Sequence, residues 1–188
     1  MKKRYSKEGF TIVEIALVLA MAGLIFLMVF VALPAVQRTQ RDAERRDDVG
    51  TLLTAIQKYQ NNNRGALPTT NGTSEIETSW NNSWNDSNKP NEGTWGRLYY
   101  SFLGKEFTDP RGNNYTIVAK MCSANAGSTC SGNINSVEGK TFEENAYKMY
   151  IAVGAICDGS KAVGSSNPRK VAIVYKMEGA GAYCASAQ

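Results

Sequence analysis

The residues with the most distinctive chemistry stand near the N-terminus, where Gly9-Phe10-Thr11-Ile12-Val13-Glu14 leads directly into an apolar run at residues 15–36. Placing a carboxylate such as that of Glu14 in hydrocarbon costs roughly 2.5–3.5 kcal/mol even on mild scales. An acid at the start of an apolar segment long enough to cross a membrane is therefore expected to have a specific chemical role. The small residue Gly9, just before it, offers a possible cleavage point.

The rest of the composition argues against catalysis. Histidine is absent, which excludes Ser-His-Asp and Cys-His catalysis and the usual zinc sites. We expect no enzyme activity, no cofactor and no metal, calcium included, since no dense run of acids lies near the C-terminus. The formal net charge is +4, but the first eight residues carry most of it and leave about +1 for the remainder. A nucleic-acid partner is therefore not predicted from charge.

Four cysteines lie in the C-terminal third, and none belongs to a CxxC pair. An even count in a segment outside the membrane favours two disulfides, although four cysteines allow three connectivities. The preferred pairs are Cys122 with Cys130, closing a short Gly/Ser-rich loop, and Cys157 with Cys184, tying the C-terminus to a strand. The alternative is four free, buried thiols in a cytosolic protein.

Residues 10–36 are predicted to form a membrane-spanning helix. The apolar run at residues 15–36 would measure about 33 Å as a helix, enough to cross the hydrocarbon of a bilayer. Basic residues precede it and place the N-terminus on the cytoplasmic side. Pro34 removes one backbone hydrogen bond and Gly23 is a second weak point, so both are candidate sites of helix loosening.

The helix is predicted to continue through residues 37–62, ending at about Asn62. An apolar stripe lies on one face of this amphipathic part, formed by Ala43, Val49, Leu52, Leu53, Ile56 and Tyr59. Residues 38–48 carry four arginines and four acids. Interleaved signs favour a solvated, self-paired face, and the alternative is pairing between neighbouring subunits.

Residues 63–188 are predicted to form a globular head, so the fold class is α+β. Within it, residues 63–114 should be a surface loop region with room for one short turn of helix. Its Trp80, Trp84 and Trp95 either pack the loop onto the head, which is favoured, or serve as surface contacts. Residues 115–188 should form an antiparallel sheet packed on the second half of the helix. Its strands are predicted at Tyr115–Met121, Tyr147–Cys157, Val171–Met177 and Ala182–Cys184.

The segment Gly9–Glu14 followed by an apolar helix resembles the class III leader of type IV pilins and related pseudopilins. The resemblance covers about 60 residues strongly and the head only in outline. It implies that residues 1–9 are a leader removed by a prepilin peptidase between Gly9 and Phe10. It further implies N-methylation of Phe10 and places Glu14 fifth in the mature chain, where its carboxylate would neutralise the new amine of a neighbouring subunit. A Glu14 that only reaches the cytoplasmic headgroups is the alternative.

The same resemblance implies a structural function. The chain would be a single-pass precursor in the cytoplasmic membrane and then the homopolymer of an extracellular filament, built by a membrane assembly platform with cytoplasmic motor ATPases. Attachment to a host or cell surface, twitching motility or DNA uptake would follow. Two alternatives stay open: a minor pilin or a secretion or competence pseudopilin, and a signal-anchored surface binding protein that does not polymerise.

Overall fold

The computed structural model describes residues 9–69, 75–81, 85–104, 107–122, 125–130, 147–179 and 181–187. One unit ends at Thr39, and a head unit begins at Gln40. The fold combines a long N-terminal helix with a C-terminal sheet, as the α+β prediction requires. The sheet, however, is mixed rather than antiparallel.

Helix α1 spans Ile12–Asn62 and is continuous through Gly23 and Pro34. It ends where Arg64 adopts a positive φ of 55°. The amide of Gly65 then donates to the carbonyl of Gln60 at 2.7 Å, the backbone bond that closes a Schellman-type helix end. The helix ends at Asn62, as predicted.

The described residues of the head contain a five-stranded sheet in the order β1-β2-β3-β6-β7. Its strands are β1 (Glu75–Ser79), β2 (Thr116–Met121), β3 (Lys148–Val153), β6 (Val171–Lys176) and β7 (Ala182–Ser186). Strands β4 (Ala155–Asp158) and β5 (Lys161–Gly164) form a separate hairpin. All neighbouring pairs are antiparallel except β2 and β3.

The parallel pair corrects the prediction of a purely antiparallel sheet. Thr116 lies opposite Lys148, and Met121 lies opposite Val153. Parallel neighbours need a crossover of a dozen or more residues, and residues 122–147 supply one. Spacing between strands could not reveal this, because a connection of that length permits either direction.

Two further strand predictions are wrong in detail. The predicted strand Tyr147–Cys157 is divided by Gly154, whose φ of 76° is costly for residues with a side chain, and its two parts belong to different sheets. The predicted loop region at residues 63–114 contains strand β1, paired with β2 from Glu75 opposite Lys120 to Ser79 opposite Thr116. It also contains helix α2 (Trp95–Leu98), followed by a π-helical turn at Tyr99–Leu103.

The sheet is buried on both faces, which explains the nearly unbroken apolar sequence of its central strands. One face packs with the apolar stripe of α1 in the main core; examples are Leu52, Ile56, Ile117, Met149, Ile151 and Ile173. The other face forms a second core of smaller residues, including Val118, Ala152, Ala155, Ala162, Ala172 and Val174. The second half of α1 is therefore part of the head's hydrophobic core.

Candidate functional site

The start of α1 carries a reciprocal cap made by Thr11 and Glu14. The Glu14 carboxylate accepts hydrogen bonds from the Thr11 amide at 2.9 Å and from the Thr11 hydroxyl at 2.8 Å. The Glu14 amide donates back to the Thr11 hydroxyl oxygen at 3.3 Å. This is the capping-box pattern, in which a side chain three residues into the helix satisfies an otherwise unpaired amide. Gly9 and Phe10 lie outside the helix and are exposed, and the rest of the predicted leader lies outside the described residues.

The apolar part of α1 is exposed around its whole circumference. Phe10, Leu19, Phe26 and Phe30 each expose about two thirds or more of their surface, and the most apolar stretch of the helix has no buried residue. By length and composition this helix could cross a membrane. A helix that is apolar on every side needs lipid or other helices around it.

Arg45 and Asp109 carry the most deeply buried charges among the described residues of the head. The Arg45 side chain is 0% exposed, and Nε donates to Asp109 Oδ2 at 2.7 Å. Its Nη1 donates to Asp42 at 3.1 Å and to Glu178 at 3.0 Å. Burial opposes the charged guanidinium, but the bonds to Asp109 and Glu178 outweigh it and raise the pKa of Arg45 above its ordinary value.

Glu178 brings three arginines together just after β6. Arg41 binds it through two parallel hydrogen bonds of 2.9 and 2.6 Å, and Arg111 Nη2 lies 3.1 Å from Oε1. The hydrogen bonds from Arg41 lower the pKa of Glu178 to about 2, with Arg45 and Arg111 adding to the effect. Asp42 holds the same turn, since it accepts from the amides of Glu178 and Gly179 at 2.9 and 2.8 Å.

A second polar contact joins the helix to the sheet. The Tyr115 hydroxyl donates to Asp48 Oδ2 at 2.7 Å. Burial raises the pKa of Asp48, although the bond from Tyr115 opposes the rise. Burial also raises the pKa of Tyr115, and the neighbouring Asp48 carboxylate adds to that shift.

The charges of residues 38–48 therefore have a third role that neither sequence interpretation included. Within the described residues, only Asp42 and Arg45 pair with each other on the helix, while Arg41, Arg45 and Asp48 bind groups of the head. Their partners Asp109, Arg111 and Glu178 were not singled out from the sequence as partners. The sequence held part of a signal, since Asp109-Pro110-Arg111-Gly112 has the residue types of a tight turn and an Asp in such a turn often accepts a hydrogen bond from the backbone two residues on, as Asp109 does from Arg111.

The described cysteines form two disulfides, and the described tryptophans pack on the head. Cys122 is bonded to Cys130 and Cys157 to Cys184, the pairs preferred from the sequence. Trp95 is 0% exposed in the main core, so the interpretation of Trp95 as a surface contact is wrong. Trp80 is partly buried and stacks on Tyr100 with ring centroids 5.9 Å apart. Trp84 lies outside the described residues.

Comparison of the chain with protein-family models, with curated proteins and with solved structures finds no match.

Two arginines that bind the same Glu178 allow a matched test of burial. Arg45→Met should lower the free energy of unfolding by about 3–5 kcal/mol, because it leaves the Asp109 charge buried without its partner. Arg41→Met should cost clearly less than Arg45→Met, since the Arg41 side chain is 29% exposed and water screens its ion pair. Urea unfolding of the full chain in detergent micelles, followed by tryptophan fluorescence, measures both. Equal losses would contradict the assignment of Arg45 as the anchor.

Glu178 predicts a specific pH dependence. Glu178→Gln should lower the free energy of unfolding by about 1.5–3 kcal/mol near neutral pH, as expected for hydrogen bonds to charged groups. Because the folded-state pKa lies well below the ordinary value of 4.5, the wild-type advantage is complete above that value. It should vanish as the pH falls from about 5 to about 2. The raised pKa of Asp48 acts in the opposite direction, but it is common to both proteins and cancels in their difference. A difference that stays constant over this range would refute the role given to Glu178.

Proposed function

We propose that this chain is a type IV pilin: a subunit that is anchored by its N-terminal helix, cleaved after Gly9 and polymerised into an extracellular filament. The observation that carries the proposal is the sequence Gly9–Glu14 placed directly at the start of a continuous, fully exposed apolar helix. A plain membrane anchor needs only the apolar residues. The glycine has no function in an anchor alone, and the acid would have there only its place in the Thr11–Glu14 cap.

The chemistry of the proposed assembly concerns two charges in apolar surroundings. Cleavage after Gly9 creates an amine on Phe10, and each charge left alone among apolar helices would be costly. Glu14 lies four residues from that amine, close to the start of the helix, so the carboxylate of one subunit can neutralise the amine of a staggered neighbour. The Thr11–Glu14 cap holds the carboxylate at the helix start in the precursor, ready for exchange of partners.

The head supports an extracellular destination in two ways. Both disulfides are typical of a protein exposed to an oxidising compartment. The apolar stripe of the second half of α1 is covered by the sheet, whereas the apolar side chains of the first half are exposed. In a filament, that first half would form the core and the heads the outer surface, with loosening at Gly23 and Pro34 as a prediction for the assembled state.

The mature N-terminus decides between a pilin and a simple anchor. We expect mass spectrometry of the protein from its native membrane to find a chain that begins with N-methylated Phe10. An intact Met1 would contradict the proposal and favour the anchored surface protein. Gly9→Val should abolish the cleavage and serves as the matched control, because it changes neither the apolar run nor the head.

The proposed pairing of Glu14 between subunits gives a second test. Glu14→Ala should leave cleavage intact but reduce surface filaments to a small fraction of the wild-type amount, as seen by electron microscopy of sheared cells. Thr11→Val removes part of the cap without removing the carboxylate, and it should retain filaments. If Thr11→Val lowers filament number as strongly as Glu14→Ala, the cap rather than the pair is what assembly requires.

A further inference from the structure

A polar hollow of about 340 Å³ lies between the C-terminal end of α1 and the turn that leads into β6. We call it the helix-end hollow; its polar lining consists of Gln57, Gln60, Asn61, Asn167, Arg169 and Lys170. Four of these residues carry side-chain amides and two are cations, and none of the described lining residues is acidic or aromatic. The volume lies at the lower end of the range found for small-ligand sites.

The turn that forms one wall of the hollow is held in place from both sides. The Lys170 amide donates to the Asn167 carbonyl at 3.1 Å, and Pro168 follows Asn167, the arrangement favoured in a tight turn. The Asn167 side-chain oxygen accepts from the Arg169 amide at 2.9 Å, and the Gln60 side chain donates to the Arg169 carbonyl at 3.0 Å. The backbone of Arg169 is therefore fixed at the hollow by bonds that leave its guanidinium unused.

Several donors converge on the hollow without an acceptor. The Arg169 guanidinium and the side-chain amides of Gln57 and Asn61 have no hydrogen bond or ion pair within the part of the chain that the structure describes. All three of these residues are exposed. Lys170 Nζ donates to the Ala187 carbonyl at 3.3 Å, which leaves two of its three hydrogens for another acceptor. The hollow therefore offers a ligand donors whose geometry is already set.

The end of α1 accounts for the position of Arg169 but not for its unused donors. A Cβ added at Gly65 would lie 3.2 Å from Arg169 Nη1, so the guanidinium stands beside the helix terminus. That terminus carries roughly half a negative charge, which attracts a cation without bonding to its hydrogens. Arg169 and Lys170 together carry two positive charges. The described lining therefore keeps a positive balance and attracts an anion.

The mixture of cations and amides indicates an acidic sugar rather than a bare anion or a nucleic acid. A guanidinium binds a carboxylate through two parallel hydrogen bonds. Side-chain amides both donate and accept, which suits the hydroxyls of a sugar ring. Sites for single-stranded nucleic acid rely on aromatic side chains that stack on the bases, and the described lining of the hollow has none.

We propose that the helix-end hollow binds a uronic acid of a surface polysaccharide, with the carboxylate on Arg169 and Lys170 and the ring hydroxyls on Gln57 and Asn61. This inference gives a ligand class to the surface attachment expected of the proposed filament, and in that respect it rests on the proposed function. The hollow belongs to a single head, so binding does not require a filament.

Isothermal titration calorimetry of the full chain with tetragalacturonate tests the proposal. The chain is kept in micelles of an uncharged polyoxyethylene detergent, because a sugar-based detergent would compete for the hollow. Tetragalacturonate should bind, and its methyl ester should bind at least about ten-fold more weakly, since the ester lacks the charge that the two cations recognise. Absence of binding by tetragalacturonate, or equal binding of the ester, overturns the proposal.

Gln57→Glu and Gln40→Glu form a matched pair of variants on α1. Each replaces an exposed side-chain amide that has no partner among the described residues by a carboxylate. Gln57→Glu should weaken tetragalacturonate binding at least about ten-fold, whereas Gln40→Glu, outside the hollow, should stay within about two-fold of wild type. Arg169→Lys keeps the charge but loses the planar fork, so its loss should be intermediate. Unchanged affinity of Gln57→Glu contradicts the assignment of the hollow.

Three controls separate this result from other ligands, from folding and from the proposed function. A short thymidylate single strand that binds more tightly than tetragalacturonate and is weakened by Gln57→Glu would make a nucleic acid the occupant and overturn the proposal. Near-ultraviolet circular dichroism of Gln57→Glu should match wild type, because the side chain is exposed. A chain that begins with N-methylated Phe10 and forms filaments but does not bind tetragalacturonate refutes only this inference. A chain that binds it but keeps Met1 refutes only the proposed function.

Discussion

The buried guanidinium of Arg45 is the constraint around which the head is arranged. A cation with no exposed surface is tolerated only when acids surround it closely, and Asp42, Asp109 and Glu178 do so from the helix, from the turn before β2 and from the segment after β6. Each of these segments is thereby fixed against the same atom group. The apolar contacts of Leu52 and Ile56 supply most of the stabilisation, but they are non-directional, and the ion network specifies how the helix is seated on the sheet.

The two faces of the sheet are stabilised in different ways, one by large apolar side chains and the other by small side chains with disulfides. The face toward α1 meets large side chains and forms a thick core. The opposite face forms a core made mostly of alanines and valines, with Tyr150 the one large side chain among its described members, and both disulfides lie against this core. Small side chains bury little area, so covalent links compensate by restricting the unfolded chain. Only one face of the second half of α1 therefore packs against the sheet, and the opposite face of that helix stays exposed.

The positions of helices and strands could be predicted from the sequence, because they depend on neighbouring residues. Strand pairing and ion pairs between distant segments could not. The span of α1 follows from its helical periodicity, and the positions of β2, β6 and β7 follow from their β-branched and aromatic residues and the turn residues around them. Strand β1 escaped notice because its sequence, Glu-Ile-Glu-Thr-Ser, carries little apolar signal and an edge strand is ordered mainly by its neighbour. The parallel direction of β2 and β3 is a feature of tertiary pairing, which no local propensity encodes. The charges at residues 38–48 illustrate the same limit, since a helix reveals only its own i, i+3 and i, i+4 neighbours.

The sequence by itself determined the features that depend only on residues close to one another in the chain. These are the apolar segment, the Gly9–Glu14 motif at its start and the amphipathic continuation of the helix to Asn62. Only the tertiary structure decided which of the helix charges bind groups of the head and which remain exposed to solvent. Arg45 binds Asp109, which is 64 residues away in the sequence, and Glu178, which is 133 residues away. At such separations the chain connection does not determine which side chains come into contact. Such pairs arise when the core closes, because packing of the apolar stripe brings the side chains together and excludes the water that would otherwise separate them.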